Sequence, residues 1–136
     1  MWLCGGATLR AQDPIIQTKY TADPAPMVYN DTVFLYTGHD EDDAYSFKMF
    51  DWQLYTSTDH GTVATTKTFP WREEQNGAWA MQVVERNGKF YMYCTVQGNG
   101  IGVLVSDSPY GPFKDPIGQP LVWQKGIGDD IDPTVF

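Results

Sequence analysis

Long apolar runs, basic residues and helical periodicity are all scarce in this sequence. No stretch approaches the roughly 20 consecutive apolar residues that a membrane-spanning helix requires. Lysine and arginine number 9 against 17 aspartates and glutamates, for a net charge of −8. A polyanion such as nucleic acid, or an anionic membrane surface, would be repelled, so neither is expected as a partner. The two histidines and two cysteines form no thiolate or His-rich metal pattern, and no metal is assigned. Cys94 sits in the apolar run Phe90-Tyr91-Met92-Tyr93-Cys94 and reads as a buried free thiol.

What is abundant is aromatic: five Trp, eight Tyr and seven Phe, in a chain of which only 19% is charged. That composition belongs to a folded domain rather than a disordered one. Flat aromatic faces suit a neutral sugar, whose own flat faces are apolar; they also suit β-sheet cores, so composition leaves both readings open. Residues 1–12 stand apart. Their small residues, ending just before Asp13-Pro14, resemble the tail of a signal peptide or leader. The basic start is missing and the apolar stretch is short, which a late start codon or a fragment would explain. Export is expected, to the exterior or the periplasm, and a lipobox centred on Cys4 is the weaker lipoprotein alternative.

Short β-type runs separated by Gly, Pro, Asn and Asp dominate the rest, which is an all-β signature. Strands are expected over Pro26 to Tyr29, Val33 to Gly38, Trp52 to Ser57, Met81 to Arg86, Lys89 to Thr95 and Gly100 to Ser106. Asn30-Asp31 and Asn87-Gly88 supply hairpin turns, the second being the stronger signal. His60, in Asp59-His60-Gly61, reads as part of a surface turn.

These runs repeat. The stretch from Pro26 to Tyr36 aligns with the stretch from Gln82 to Tyr93 as strand, turn and aromatic strand, and each is followed by a third strand. A period of about 50 residues, with three or four strands per unit, points to propeller blades rather than a sandwich. Ile131 to Phe136 reads as the first strand of a third unit. Two blades alone would leave apolar faces and open edges, so the chain is expected to be incomplete and a poor candidate for autonomous folding.

Two Asp-Pro pairs, Asp23-Pro24 and Asp132-Pro133, fall at equivalent places, at the expected start of an innermost strand. Innermost strands converge on a propeller axis, so their carboxylates would meet at the mouth of one funnel. Close like charges raise the proton affinity of at least one member, which is useful for acid/base chemistry. Asp-Pro is also an ordinary strand-start dipeptide, because Asp bonds its own backbone and Pro fixes φ.

The runs Tyr20-Thr21-Ala22-Asp23-Pro24-Ala25-Pro26, His39-Asp40-Glu41-Asp42-Asp43, Asp51-Trp52-Gln53-Leu54-Tyr55-Thr56-Ser57-Thr58-Asp59, Gly77-Ala78-Trp79-Ala80, Asn87-Gly88-Lys89-Phe90-Tyr91 and Ile131-Asp132-Pro133 resemble glycoside hydrolase family 43 in order and spacing. The resemblance covers nearly everything from Asp13 onward. It implies a five-bladed β-propeller, of which residues 13–136 would be the N-terminal part: about two blades and the first strand of a third. It implies inverting hydrolysis of arabinofuranosyl or xylosyl linkages in arabinoxylan or arabinan, with carbohydrate as the partner. Asp23 matches the family's general base, and Asp132 the carboxylate that tunes the general acid. That acid is a Glu in a later blade, and none of Glu41, Glu73, Glu74 or Glu85 falls in its motif, so this fragment alone is expected to be inactive. No cofactor is required; some relatives hold a structural calcium on the axis, but the His used there is not in this chain.

Trp79 matches the family's Trp-Ala dipeptide and is the best substrate-contact candidate, with a core Trp between blades as the alternative. Met81 stands where many relatives have Pro, which puts the wall of the sugar pocket in question. His39 and Asp40 open an acidic loop that would rim the funnel, His39 being placed to bond a sugar hydroxyl; a charge run is more often simply solvated. A non-catalytic carbohydrate-binding propeller is the alternative function.

Overall fold

The computed structural model describes residues 13–73, 77–126 and 130–136. The leader with Cys4, and Glu74 and Asp129, lie outside the described residues. The fold is all-β. Strands β1 (Tyr20–Tyr29), β2 (Thr32–Asp40), β3 (Asp51–Tyr55) and β4 (His60–Thr65) form one antiparallel sheet in chain order. Strands β5 (Ala78–Arg86), β6 (Lys89–Val96) and β7 (Ile101–Ser106) form a second. Isolated bridges, Val105 to Lys114 and Ile101 to Val122, extend the second sheet in place of a full fourth strand. Among the described residues, no helix is long and apolar enough to cross a membrane.

The two expected hairpins form for the expected reason. Asn30 and Asp31 have φ of 46° and 60°, and Asn87 and Gly88 have 55° and 75°. Positive φ at both central positions is what a two-residue turn needs to match strand twist, and Asn, Asp and Gly adopt it at least cost.

Three expectations need correction. His60 is not in a turn but opens β4, a strand absent from the sequence reading, and its ring stacks on Tyr55 across the ladder at 6.1 Å. The exposed start of β4 hides its alternation, and pairing with β3 supplies the structure that composition does not. Asp23 lies inside β1 rather than at its start, because β2 is long enough to pair with Tyr20, Thr21 and Ala22 as well. Ile131 to Phe136 belongs to no strand. No described strand pairs with it, and it is held by side chains of the second sheet: Asp132 N donates to Thr95 Oγ1 at 3.0 Å, and Val135 N donates to Gln82 Oε1.

The core lies between the sheets. Phe34, Tyr36, Trp52 and Leu54 on the first face Met81, Val83, Phe90, Met92 and Leu104 on the second, all buried in one cluster. Each such side chain stabilises by about 1.5–3 kcal/mol relative to exposure. Cys94 is a buried free thiol in this layer, and burial pushes its pKa well up. Tyr29 meets Phe90 edge-on at 5.0 Å, and the Tyr36 hydroxyl donates to the Pro109 carbonyl at 2.7 Å. At Gly38 a Cβ would come within 2.5 Å of Met49 Cε, so the absence of a side chain there makes room for the methionine tip, while the Ala78 carbonyl lies at ordinary contact distance, 3.6 Å.

Candidate active site

The inner strands of the two sheets carry the same irregularity. Ala22 pairs with Gly38 and Ala25 with Tyr36, so β1 has one more residue than its partner between those pairs. Ala78 pairs with Val96 and Met81 with Cys94, an identical surplus in β5. A bulge of this kind bends the strand and re-aims the side chain it carries. In β1 the bulged residues are Asp23-Pro24; in β5 they are Trp79-Ala80.

Asp23 takes φ of 52°, a conformation that Asp adopts more readily than most residues. Asp132, the other Asp-Pro aspartate, takes φ of 55°. The two are remote in sequence, yet both line one cavity of about 350 Å³, with Ala22 and Met49 at its wall and Trp79 and Asp40 beside them. The cavity is therefore built from β1, the end of β2, the β2–β3 loop, β5 and the segment after Asp130.

The electrostatics follow from that gathering. Partial burial raises the Asp23 pKa above its ordinary value, the negative charge of Asp132 adds to this, and that of Asp40 adds further. A carboxylate with enhanced proton affinity beside other carboxylates is what an acid/base site requires. Trp79 is anchored from the first sheet, since Trp52 Nε1 donates to its carbonyl at 2.7 Å. Its own Nε1–H is buried and has no partner among the described residues. Met49 closes the inner end: its carbonyl accepts from Gly77 N at 2.8 Å and Ala78 N at 2.9 Å.

Of the residues singled out in the sequence, Asp23, Asp132, Trp79 and Asp40 come together here. His39 does not. Strand alternation turns it to the opposite face of the sheet from Asp40, where it is buried with Nδ1 2.9 Å from Asp51 Oδ1. Asp51 also accepts from Thr62 Oγ1 at 3.2 Å. The β2–β3 ladder has its last pair at Gly38 and Trp52, so this side-chain pair continues the contact where backbone pairing stops.

The sequence reading missed Phe47, which lines the cavity and meets Trp79 edge-on at 6.0 Å. The available signal was an aromatic residue placed shortly after an acidic run, in a loop with nothing to bury it. Among the described residues no His, Cys, Asp or Glu cluster is arranged to hold a metal ion. Among the described residues no glutamate lines the cavity.

Comparison with known proteins adds the following. The family model for glycosyl hydrolases family 43 matches residues 11–136. A xylosidase/arabinosidase of Bacteroides ovatus is 33% identical over 142 residues, covering 85% of this chain and 43% of that protein. Xylosidase/arabinosidase 43A of Humicola insolens is 34% identical over 143 residues, covering 90% of this chain and 42% of that protein. The crystal structure of a GH43_1 enzyme from Xanthomonas citri complexed with xylotriose superposes with a TM-score of 0.70 at 33% identity, covering 79% of this chain and 35% of that one. The chain thus spans less than half the length of these relatives.

Proposed function

From the premise that the chain belongs to glycosyl hydrolases family 43, we propose that its protein is an inverting, exo-acting α-L-arabinofuranosidase or β-xylosidase that trims pentose from arabinoxylan or arabinan. The curated relatives, described as xylosidase/arabinosidases, support the pentose class. The observation that carries the reading is the single cavity in which Asp23, Asp132 and Trp79 meet.

In this reading the two sheets are two blades of a five-bladed propeller, and residues 13–136 form the N-terminal part of that domain. Asp23 is the general base. An inverting hydrolase sets base and acid about 6.5–9.5 Å apart, so that a water fits between the base and the anomeric carbon. The bulge holds the short Asp23 side chain at a fixed point on β1, which suits that task. The base must be ionised to accept a proton from the water; its raised pKa strengthens it as a base, provided the pH stays above that value. Asp132 supplies the negative charge that keeps the acid's proton on until the leaving oxygen takes it. No described glutamate reaches the cavity, so the acid is assigned to a glutamate elsewhere in the protein. Trp79 packs the apolar face of the pentose. Export, expected from residues 1–12, would place the enzyme with its polysaccharide substrate.

The test is release of pentose from chromogenic arabinofuranosides and xylosides by the full-length protein. Asp23→Asn is expected to lower turnover about a thousandfold, within the range for loss of a general base. Ordinary turnover in that variant would refute the assignment. The second reading is a carbohydrate-binding propeller; binding of xylotriose by the full-length protein without any release of pentose would establish it instead.

A further inference from the structure

The three carboxylates of the cavity are not held alike. Asp23 is fixed by the bulge in β1, and Asp40 ends β2 in register with Tyr20. Asp132 lies in no described strand, so its place depends on side chains. Two of these belong to the second sheet. Met81, Val83, Cys94 and Val96 are buried in the core against the first sheet, so alternation turns Gln82 and Thr95 to the opposite face. There Thr95 Oγ1 accepts from Asp132 N at 3.0 Å, and Gln82 Oε1 accepts from Val135 N.

Thr95 also has a particular place in the ladder. Ala78 pairs with Val96 and Met81 with Cys94, so Thr95 is the one β6 residue opposite the Trp79-Ala80 bulge. It is fully buried and is not among the residues that line the cavity, so it acts on the reaction through another group. Among the described residues, the titratable groups lining that cavity are Asp23, Asp40 and Asp132. The influence of one charge on another falls with distance, so Asp132 affects its neighbours only while it is kept near them. Valine would match the shape of Thr95 without its acceptor. The Asp132 N–H would then be unpaired, and the segment would shift to rehydrate it.

We infer that Thr95 is a positioning residue for the reaction, its hydroxyl oxygen holding Asp132 within reach of Asp23 and of the general acid, with Gln82 as the second anchor. The inference rests on the pentosidase reading, in which Asp132 tunes the acid. The charge of Asp132 raises the Asp23 pKa, beyond the larger effect of burial and together with Asp40. A displaced Asp132 therefore leaves Asp23 ionised to lower pH, and holds the proton of the acid less firmly. Both limbs of the pH profile then move in the same direction, toward lower pH.

The experiment compares T95V and T95S in the full-length protein by two independent measurements. Hydrogen exchange of the peptide spanning residues 130–136, read by mass spectrometry, is expected to quicken about tenfold in T95V and to stay unchanged in T95S, which keeps the acceptor. In steady-state assays T95V is expected to lose about tenfold in kcat with KM unchanged, and to shift both limbs of its pH profile to lower pH, whereas T95S behaves as the parent. Added to D132N, T95V is expected to cost nothing more in kcat. Unchanged exchange in T95V, faster exchange with an unchanged kcat and pH profile, equal loss in T95S, or a full further loss in the T95V/D132N protein would each overturn the assignment. Should T95V not fold, Q82M carries the same test, with effects in the same direction and smaller. Full activity in Asp23→Asn would overturn the catalytic reading instead, while the exchange measurement still decides whether Thr95 anchors Asp132.

Discussion

Strands β1 and β5 are the same device used twice. Each is the first strand of its sheet, each is followed by a two-residue hairpin with both central residues at positive φ, and each has one extra residue at the corresponding place. What differs is the residue delivered. The β1 bulge carries Asp23 at positive φ ahead of a proline; the β5 bulge carries Trp79 ahead of an alanine, without positive φ. The repeat therefore fixes a position near the cavity, and the side chain placed there decides whether that position contributes a charge or an apolar face. Asp132, with the φ of Asp23, brings a second charge to the same cavity from outside either sheet.

The sharpest break of this comparison is at the bulges themselves. Asp23→Asn is expected to cost about a thousandfold in turnover, whereas Trp79→Phe, which keeps a ring on the same bulge, should cost about tenfold in kcat/KM, as for a partly lost packing contact. Equal losses in steady-state assays would mean that the two positions are not chemically distinct.

A smaller effect concerns the link between the strands. Trp52→Ala removes a fully buried indole and the donor to the Trp79 carbonyl, and should destabilise by about 3–5 kcal/mol in urea unfolding. Trp52→Phe retains most of the packing but not the donor, and should cost about 1–3 kcal/mol. If the two variants unfolded alike, ring packing at this position would contribute nothing beyond the hydrogen bond from β3 to the β5 bulge, which both variants lack.

Next comes the charge gathered around the β1 bulge. Asp23 must be ionised to act as a base, so activity falls as pH drops through its pKa. Burial raises that pKa, and the charges of Asp132 and Asp40 raise it further. Asp40→Asn removes one raising influence, and the acidic limb of the kcat/KM profile should move to lower pH. A limb that stayed in place, or moved up, would show that Asp23 does not set it.

The smallest expected effect separates the two hairpins. Asp31 occupies positive φ with a side chain, whereas Gly88 occupies the same turn position without one. Asp31→Gly should therefore be neutral to slightly stabilising, by about half a kcal/mol or less, and Gly88→Asp should be destabilising by a similar amount, read from thermal midpoints.

The parts legible in the sequence were those with a local cause. The Asn-Asp and Asn-Gly turns, the alternation in β2, β5, β6 and β7, and the recurrence of one strand-turn-strand unit follow from short-range sterics and side-chain periodicity. β4 was not legible because its first three residues are exposed and its strand character comes from pairing with β3. His39 and Asp40 are neighbours in sequence and seemed to share a fate. Alternation separates them, one bound to Asp51 on the far face and the other at the cavity.

By itself, then, the sequence determined an all-β chain of repeating units, its family, and the two Asp-Pro aspartates as matched positions, because each rests on residue type at a fixed spacing. Only the tertiary structure decided that Trp79 joins those aspartates, that Phe47 lines the same cavity and that His39 does not. Those outcomes depend on bulges, on the loop between β2 and β3, and on the facing of two sheets. The underlying reason is that which side chains meet is settled by ladder register and packing between segments far apart in the chain.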